Sequence, residues 1–226
     1  MFYFDWTYLM IIPGLLLGLW AQSQVSSAYQ KYSRVGTHLG APASRVVNDL
    51  LRRNGNSIVQ VQPTSGQLTD HYDPSTETLR LSEGVYHSPS VAALGIAAHE
   101  AGHAMQKLEH YAPLKLRTAL VPVVNIGSSA AIPLFFAGIL FSWKPLMTLG
   151  IFAFSLSVIF SLITLPVEFG ASRRAVRMLQ DGGYVTSDEL TGVEKVLRAA
   201  ALTYVAAAVS SLLNLLRLLI IARNRD

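Results

Sequence analysis

The 226-residue sequence contains no cysteine, which excludes disulfides, thiolate metal ligands and a cysteine nucleophile. Charged residues make up only 14% of the chain, whereas 51% of the residues are hydrophobic and the mean hydropathy is +0.36. This balance is typical of a membrane protein and not of a soluble domain. The net charge of +4 is modest, and no basic stripe is interleaved with aromatic residues, so we expect no nucleic-acid partner.

Histidine is also scarce, yet two of the six histidines occur together in the stretch HEAGH. His99 and His103 are four residues apart, so on an α-helix their imidazoles lie on the same face. H-E-x-x-H is the pattern in which two helical histidines bind zinc and the glutamate, here Glu100, acts as general base. The alternative is a pair of hydrogen-bonded polar side chains on a buried helix. Ser88 as N-cap and Pro89 at the first helical position predict that the helix begins two to three turns before the motif.

A catalytic zinc site normally has a third protein ligand, which must come from elsewhere in the chain. The metzincin pattern would require glycine and histidine three and six residues after His103, and the chain has neither. His110 is one residue out of that register and is one candidate. Residues 111–167 contain no Asp, Glu or His, so Glu168 is the next candidate. We favour Glu168, because the two apolar segments between His103 and Glu168 would return the chain to the same side of a membrane.

Apolar segments divide the chain. Residues 6–21 predict an anchor helix with Trp6 and Trp20 at its ends; a cleavable signal peptide is the alternative, but no Lys or Arg precedes the segment. Residues 118–167 predict a transmembrane hairpin of two apolar helices. The turn around Lys144 that joins them is too short for anything but an antiparallel arrangement of the two helices. Residues 199–222 carry a polar stripe, so this last helix either spans the membrane or lies at its interface, and we favour spanning.

The two polar regions, residues 22–117 and 168–198, are predicted to form one domain. ASRVVNDLLRR predicts an amphipathic helix, and SIVQVQ and ETLRLSEG predict two or three strands of a small antiparallel sheet. The strand TLRLS is predicted to be an edge strand, either an ordinary one or one on which an extended peptide pairs. The predicted fold is therefore mainly α: residues 1–226 form a membrane-embedded helical bundle of three to four spans, with a small α+β, zincin-like metallopeptidase domain at the membrane surface.

Two motifs longer than the five-residue zinc pattern point to a known family. DHYDPSTETLRLSEGVYHSPSVAALGIAAHEAGHAMQ and TLPVEFGASRRA closely resemble the YugP-type neutral zinc metallopeptidases of bacterial membranes, which are related in motif to the HtpX-like proteases. The resemblance implies Zn²⁺ at His99, His103 and Glu168, with Glu100 as the catalytic base. In the family pattern an aspartate follows the third-ligand glutamate within a few residues, whereas this chain has Gly-Ala-Ser at 170–172.

The predicted function is that of a membrane-anchored zinc endopeptidase of the gluzincin type, which hydrolyses peptide bonds through a zinc-activated water with Glu100 as general base. The predicted partners are polypeptide substrates, mainly membrane proteins, and the lipid bilayer. Tyr204, His110 and Arg173 are candidates for stabilising the oxyanion. An inactive zinc-binding scaffold is one alternative, because the expected aspartate is absent. A site-2-type intramembrane protease is disfavoured, because the apolar stretch before the motif is only eight residues long.

The distribution of positive charge predicts the orientation. The two polar regions together hold fourteen Lys and Arg, whereas the turn of the hairpin holds only Lys144. The positive-inside bias therefore places the active site on the cytosolic face of a bacterial cytoplasmic membrane, in a multi-pass protein.

Overall fold

The computed structural model describes residues 6–224 and is mainly α-helical, as predicted. Its elements, in chain order, are a 3₁₀ helix (Trp6–Met10), α1 (Ile12–Tyr32), α2 (Ala43–Arg53), β1 (Gln60–Thr64), β2 (His71–Asp73), β3 (Thr78–Ser82), α3 (Glu83–Tyr86), α4 (Val91–Leu108), α5 (Ala112–Leu140), α6 (Lys144–Asp181) and α7 (Ser187–Arg223).

The described residues form two compact units. The apolar unit comprises residues 6–21, 115–166 and 203–224, and the polar unit comprises residues 22–114 and 167–202. Helices α1, α5, α6 and α7 each contribute residues to both units, because each helix continues without a break past the boundary between the units.

Four helical segments of the described chain are long and apolar enough to cross a membrane, which agrees with the predicted three to four spans. They are Trp6–Tyr32, Ala112–Leu140, Lys144–Asp181 and Ser187–Arg223. Each continues past the apolar stretch recognised in the sequence, since hydropathy marks only the part suited to lipid and the helical hydrogen bonds continue beyond it.

The polar stripe of α7 faces protein at Arg217. This arginine is buried within the apolar unit, and its Nε donates to Thr7 Oγ1 at 3.1 Å. Its guanidinium also lies 4.0 Å from the centre of the Tyr8 ring. A stripe residue that packs against the N-terminal segment supports the interpretation of α7 as a spanning helix whose polar face points into the bundle.

The small sheet has the strand order β1–β3–β2. Strand β2 pairs with β3 in the antiparallel sense, with Tyr72 opposite Leu79, whereas β1 pairs with β3 in parallel, with Val61 opposite Leu79. The prediction of an antiparallel sheet is therefore wrong for β1, because β3 inserts between the two earlier strands instead of following β2 at the edge. For the same reason the prediction of β3 as a possible edge for a peptide is wrong: β3 is the central strand, and Leu79 and Leu81 are fully buried.

Helix α4 lies at the centre of the polar unit, in the hydrophobic core that it shares with α2 and the sheet. The predicted apolar face of α2 is confirmed, since its valines and leucines are buried. Helix α4 begins two residues later than predicted, because Ser90 and not Ser88 is its N-cap, accepting from the Ala93 amide at 3.2 Å. Pro89 precedes the helix, and its carbonyl accepts from the Thr37 amide at 2.9 Å.

Candidate metal centre and active site

The candidate site lies at a close contact between α4 and α6. A Cβ atom added to Gly102 would lie 2.4 Å from the carbonyl oxygen of Ala171, so only glycine permits this spacing. Ala98 and Ala101 on α4 are also fully buried. The small residues around the H-E-x-x-H motif thus let the backbone of α6 come within reach of the histidine side chains.

Three side chains converge at this contact. Glu168 Oε2 lies 3.2 Å from His99 Nε2 and 3.5 Å from His103 Nε2, and one ligand atom of each residue lies within 4.8 Å of the other two. Glu168 is only 2% exposed. A carboxylate rarely loses its hydration without compensation, and here the two imidazoles are the groups that compensate.

This donor set fits a zinc ion. Zinc is bound by imidazole nitrogen and carboxylate oxygen at about 2.0–2.2 Å, so two donors at tetrahedral angles are roughly 3.4 Å apart. The two distances from Glu168 are close to that value. The remaining pair of donors, the two imidazoles, stays within 4.8 Å, and their rings are nearly perpendicular, with an interplanar angle of 86°.

Gln106 determines which nitrogen of His103 can bind an ion. Gln106 is fully buried, and its Nε2 donates to the carbonyl oxygen of Val167 at 2.7 Å. A backbone carbonyl can only accept, so the amide must present Oε1 to His103 Nδ1, at 3.0 Å. Nδ1 therefore carries the proton in the neutral ring, and Nε2 retains the lone pair that a metal requires.

Ser172 plays the corresponding part for His99. Its Oγ lies 3.1 Å from His99 Nδ1, and a hydroxyl can accept the proton of that nitrogen. Ser172 is one helical turn beyond Glu168 on α6, so the same face of the helix carries both groups. The expected aspartate is absent, but both histidines still have a polar partner behind the nitrogen that faces Glu168.

Gly170 lies on α6 between Glu168 and Ser172, where the structure has no room for a side chain. A Cβ atom at this position would lie 2.8 Å from Gln106 Nε2 and 3.3 Å from a terminal nitrogen of Arg174. Any side chain at 170 would therefore press on the buried amide that orients His103. The groups behind the two imidazoles in this chain are therefore uncharged: Gln106 behind His103 and Ser172 behind His99.

Glu100 lies beside the cluster and contacts the sheet. Its Oε2 accepts from the backbone amide of Tyr72 on β2 at 3.0 Å. Burial raises the pKa of Glu100, the two neighbouring histidines oppose that shift, and Glu168 reinforces it. Strand β2 is an edge of the sheet. Because its Tyr72 amide donates to Glu100, this edge lies next to the Glu100 carboxylate.

The other sequence candidates lie outside the ligand cluster. His110 follows the end of α4 with φ +55°, is exposed, and does not join the group formed by His99, His103 and Glu168. Arg173 is exposed on α6, and Tyr204 lies on α7 within the apolar unit. No contact within the described residues assigns the oxyanion to any of the three.

Sequence reasoning missed Gln106 and Ser172 as members of the site. The available signal was their spacing, because Gln106 follows His103 by three residues and Ser172 follows Glu168 by four, so each pair shares a helix face. That signal is weak for uncharged residues, which are common on buried helix faces without any role at a metal.

Comparisons with known proteins identify the family. A family described as "Putative neutral zinc metallopeptidase" matches residues 7–223. The chain is 47% identical over 215 residues to a protein of Bacillus subtilis (strain 168) described as "Putative membrane protease YugP", an alignment that covers 95% of this chain and 96% of that protein. No solved structure matches the chain. The resemblance inferred from the motifs is thereby confirmed, and the chain belongs to this family of neutral zinc metallopeptidases.

Proposed function

We propose that this membrane protein is a zinc-dependent endopeptidase in which His99, His103 and Glu168 hold the ion and Glu100 is the general base. The observation that carries the proposal is the convergence of the three ligand atoms within 4.8 Å, although Glu168 is distant from the histidines in the sequence. Zinc bound there would act as a Lewis acid toward water and the scissile carbonyl.

The chain's own groups account for the remaining steps. Glu100 takes a proton from the attacking water and returns it to the leaving amine. An extended polypeptide lying along the outer edge of β2 would come next to the base, and the Tyr72 amide of that edge holds Glu100 in place.

Two substitutions separate metal binding from catalysis. Glu168→Gln removes the anionic ligand, so we expect zinc to be lost or greatly weakened while the protein stays in the membrane. Glu100→Gln keeps the shape of the side chain but cannot accept a proton, so we expect full zinc content and cleavage slower by about 10²- to 10⁴-fold.

The assay is zinc analysis of the detergent-purified protein, followed by digestion of casein with and without a chelator. Glu83→Gln, an exposed glutamate on α3, is the matched control and should change neither readout. His110→Ala should likewise retain zinc. The ligand assignment is wrong if Glu168→Gln keeps its zinc and His110→Ala loses it, and the base assignment is wrong if Glu100→Gln cleaves at near the wild-type rate.

The same assay distinguishes the alternatives. Zinc without chelator-sensitive cleavage would favour an inactive scaffold, but Ser172 and Gln106 supply the orientation that the missing aspartate leaves open. A site-2-type intramembrane protease is disfavoured, because the proposed ligands and base all belong to the polar unit.

We further propose that the site faces the cytosol beside a bacterial cytoplasmic membrane, so that the substrates are membrane or membrane-proximal proteins. Fourteen Lys and Arg in the two polar regions, against Lys144 alone in the hairpin turn, support this orientation. Single cysteines at Ser65, Lys144 and Asn224 in intact cells can be probed with a membrane-impermeant thiol reagent, since the chain has no natural cysteine. We expect labelling at 144 and protection at 65, and the reverse pattern would overturn the orientation; position 224 reports whether α7 crosses.

A further inference from the structure

A groove with a cavity volume of about 450 Å³ lies in the polar unit between α6 and α7. Phe169, Val176 and Leu197 contribute apolar surface to its walls, and Arg173, Arg177 and Arg198 contribute guanidinium groups. This volume is within the range of pockets that bind small ligands or headgroups. The sequence interpretation considered Arg173 only for the oxyanion, and the proposed zinc chemistry uses none of the three arginines.

Positive side chains outnumber negative ones in this groove. Within residues 6–224, none of the three arginine side chains forms an ion pair or a hydrogen bond, and the single carboxylate in the lining is that of Glu194. Three guanidinium groups against one carboxylate attract an anion. Guanidinium is also the side-chain group best suited to bind phosphate oxygens through paired N–H donors.

The order of residues along the groove matches the polarity of a lipid. Phe169 is the second residue after the apolar stretch of α6, and Ala201 is the third residue of the apolar stretch of α7. Arg198 directly precedes the apolar stretch of α7, and Arg173 lies about 9 Å along α6 from Val167. Side chains on a helix lean toward its N-terminus, so on α6 Arg173 leans back toward the apolar stretch.

We propose that this groove binds the phosphate headgroup of an anionic phospholipid. Acyl carbons contact the end of the groove that carries Phe169 and Ala201, and the phosphate lies between Arg173 and Arg198. A free phosphate ion shares the headgroup chemistry but gains nothing from the apolar end. The inference depends on the helices being membrane spans and does not require a bound metal ion, although Ser172, whose Oγ faces His99, also lines the groove.

The experiment uses the full chain purified in detergent and titrated with phosphatidylglycerol or phosphatidylcholine, with bound lipid counted by native mass spectrometry. We expect preferential retention of phosphatidylglycerol. Arg173→Gln with Arg198→Gln should weaken it about 30-fold, since each arginine at an anionic lipid surface contributes about fivefold. The matched control, Arg34→Gln with Arg52→Gln, removes the same charge from exposed residues of the polar unit outside the groove and should retain the lipid.

Three outcomes would overturn the proposal: equal binding of the two lipids by the unmodified chain, equal weakening by the control pair, or displacement of the lipid by millimolar inorganic phosphate. The last result would identify a site for a free anion and not for a lipid. A second measurement needs no substitution. A photoreactive phosphatidylglycerol should crosslink to peptides from 169–180 or 194–201, and crosslinks confined to other regions would refute the assignment.

Discussion

Replacing Gln106 with methionine tests how the fold prepares His103 for an ion. Methionine matches the length of glutamine but removes both hydrogen bonds of the fully buried amide, to His103 Nδ1 and to the Val167 carbonyl. The Val167 carbonyl keeps its hydrogen bond within α6, but the Nδ1–H of His103 loses its acceptor, and an unsatisfied group of this kind costs about 1–3 kcal/mol of unfolding free energy. Losing the partner behind a ligand histidine typically weakens metal binding 10- to 100-fold, which is about 1.4–2.7 kcal/mol.

The assay is a competition titration of zinc against a chromophoric chelator, in detergent at fixed pH, together with thermal unfolding of the metal-free protein. Gln67→Met, at an exposed position before β2, is the control and should match the wild type in both measurements. Unchanged zinc affinity in Gln106→Met would refute the orienting role, and lower thermal stability alone would leave Gln106 as a packing residue.

Two further changes test packing and titration. Gly102→Ala places a methyl group 2.4 Å from the Ala171 carbonyl oxygen, so we expect a loss of about 1–3 kcal/mol in unfolding free energy and of bound zinc by metal analysis. Gly84→Ala, where nothing lies within 4 Å, should be neutral, and similar behaviour of the two variants would contradict the close-contact argument. Burial and the hydrogen bond from its hydroxyl to Asp49 raise the pKa of Tyr184 to about 12, against about 10 in an unfolded chain. The unfolded state therefore loses the tyrosine proton first, so wild-type melting temperatures should fall between pH 10 and 12 more steeply than those of Tyr184→Phe; parallel curves would refute this.

Local periodicity determined much of what the sequence predicted correctly. The apolar stretches, the amphipathic α2 and the spacing of His99 and His103 depend on residues close together in the chain, where helical geometry is nearly invariant. The end of α6 is also determined locally, since the helix stops at Asp181 just before Gly182 and Gly183, and Gly183 has φ +68°. The family resemblance also needed only contiguous motifs.

Tertiary structure decided what depends on pairing between distant segments. Strand order is non-local, and nothing within TLRLS distinguishes a central strand from an edge strand, so only the fold places β3 between β1 and β2. The sequence favours Glu168 over His110 as the third ligand but cannot place either side chain. The folded chain brings the carboxylate of Glu168 to both imidazoles and leaves His110 exposed beyond α4, because α4 and α6 approach closely at Gly102. That contact also gives Gln106 its partner at Val167, which no spacing rule within one helix could have identified.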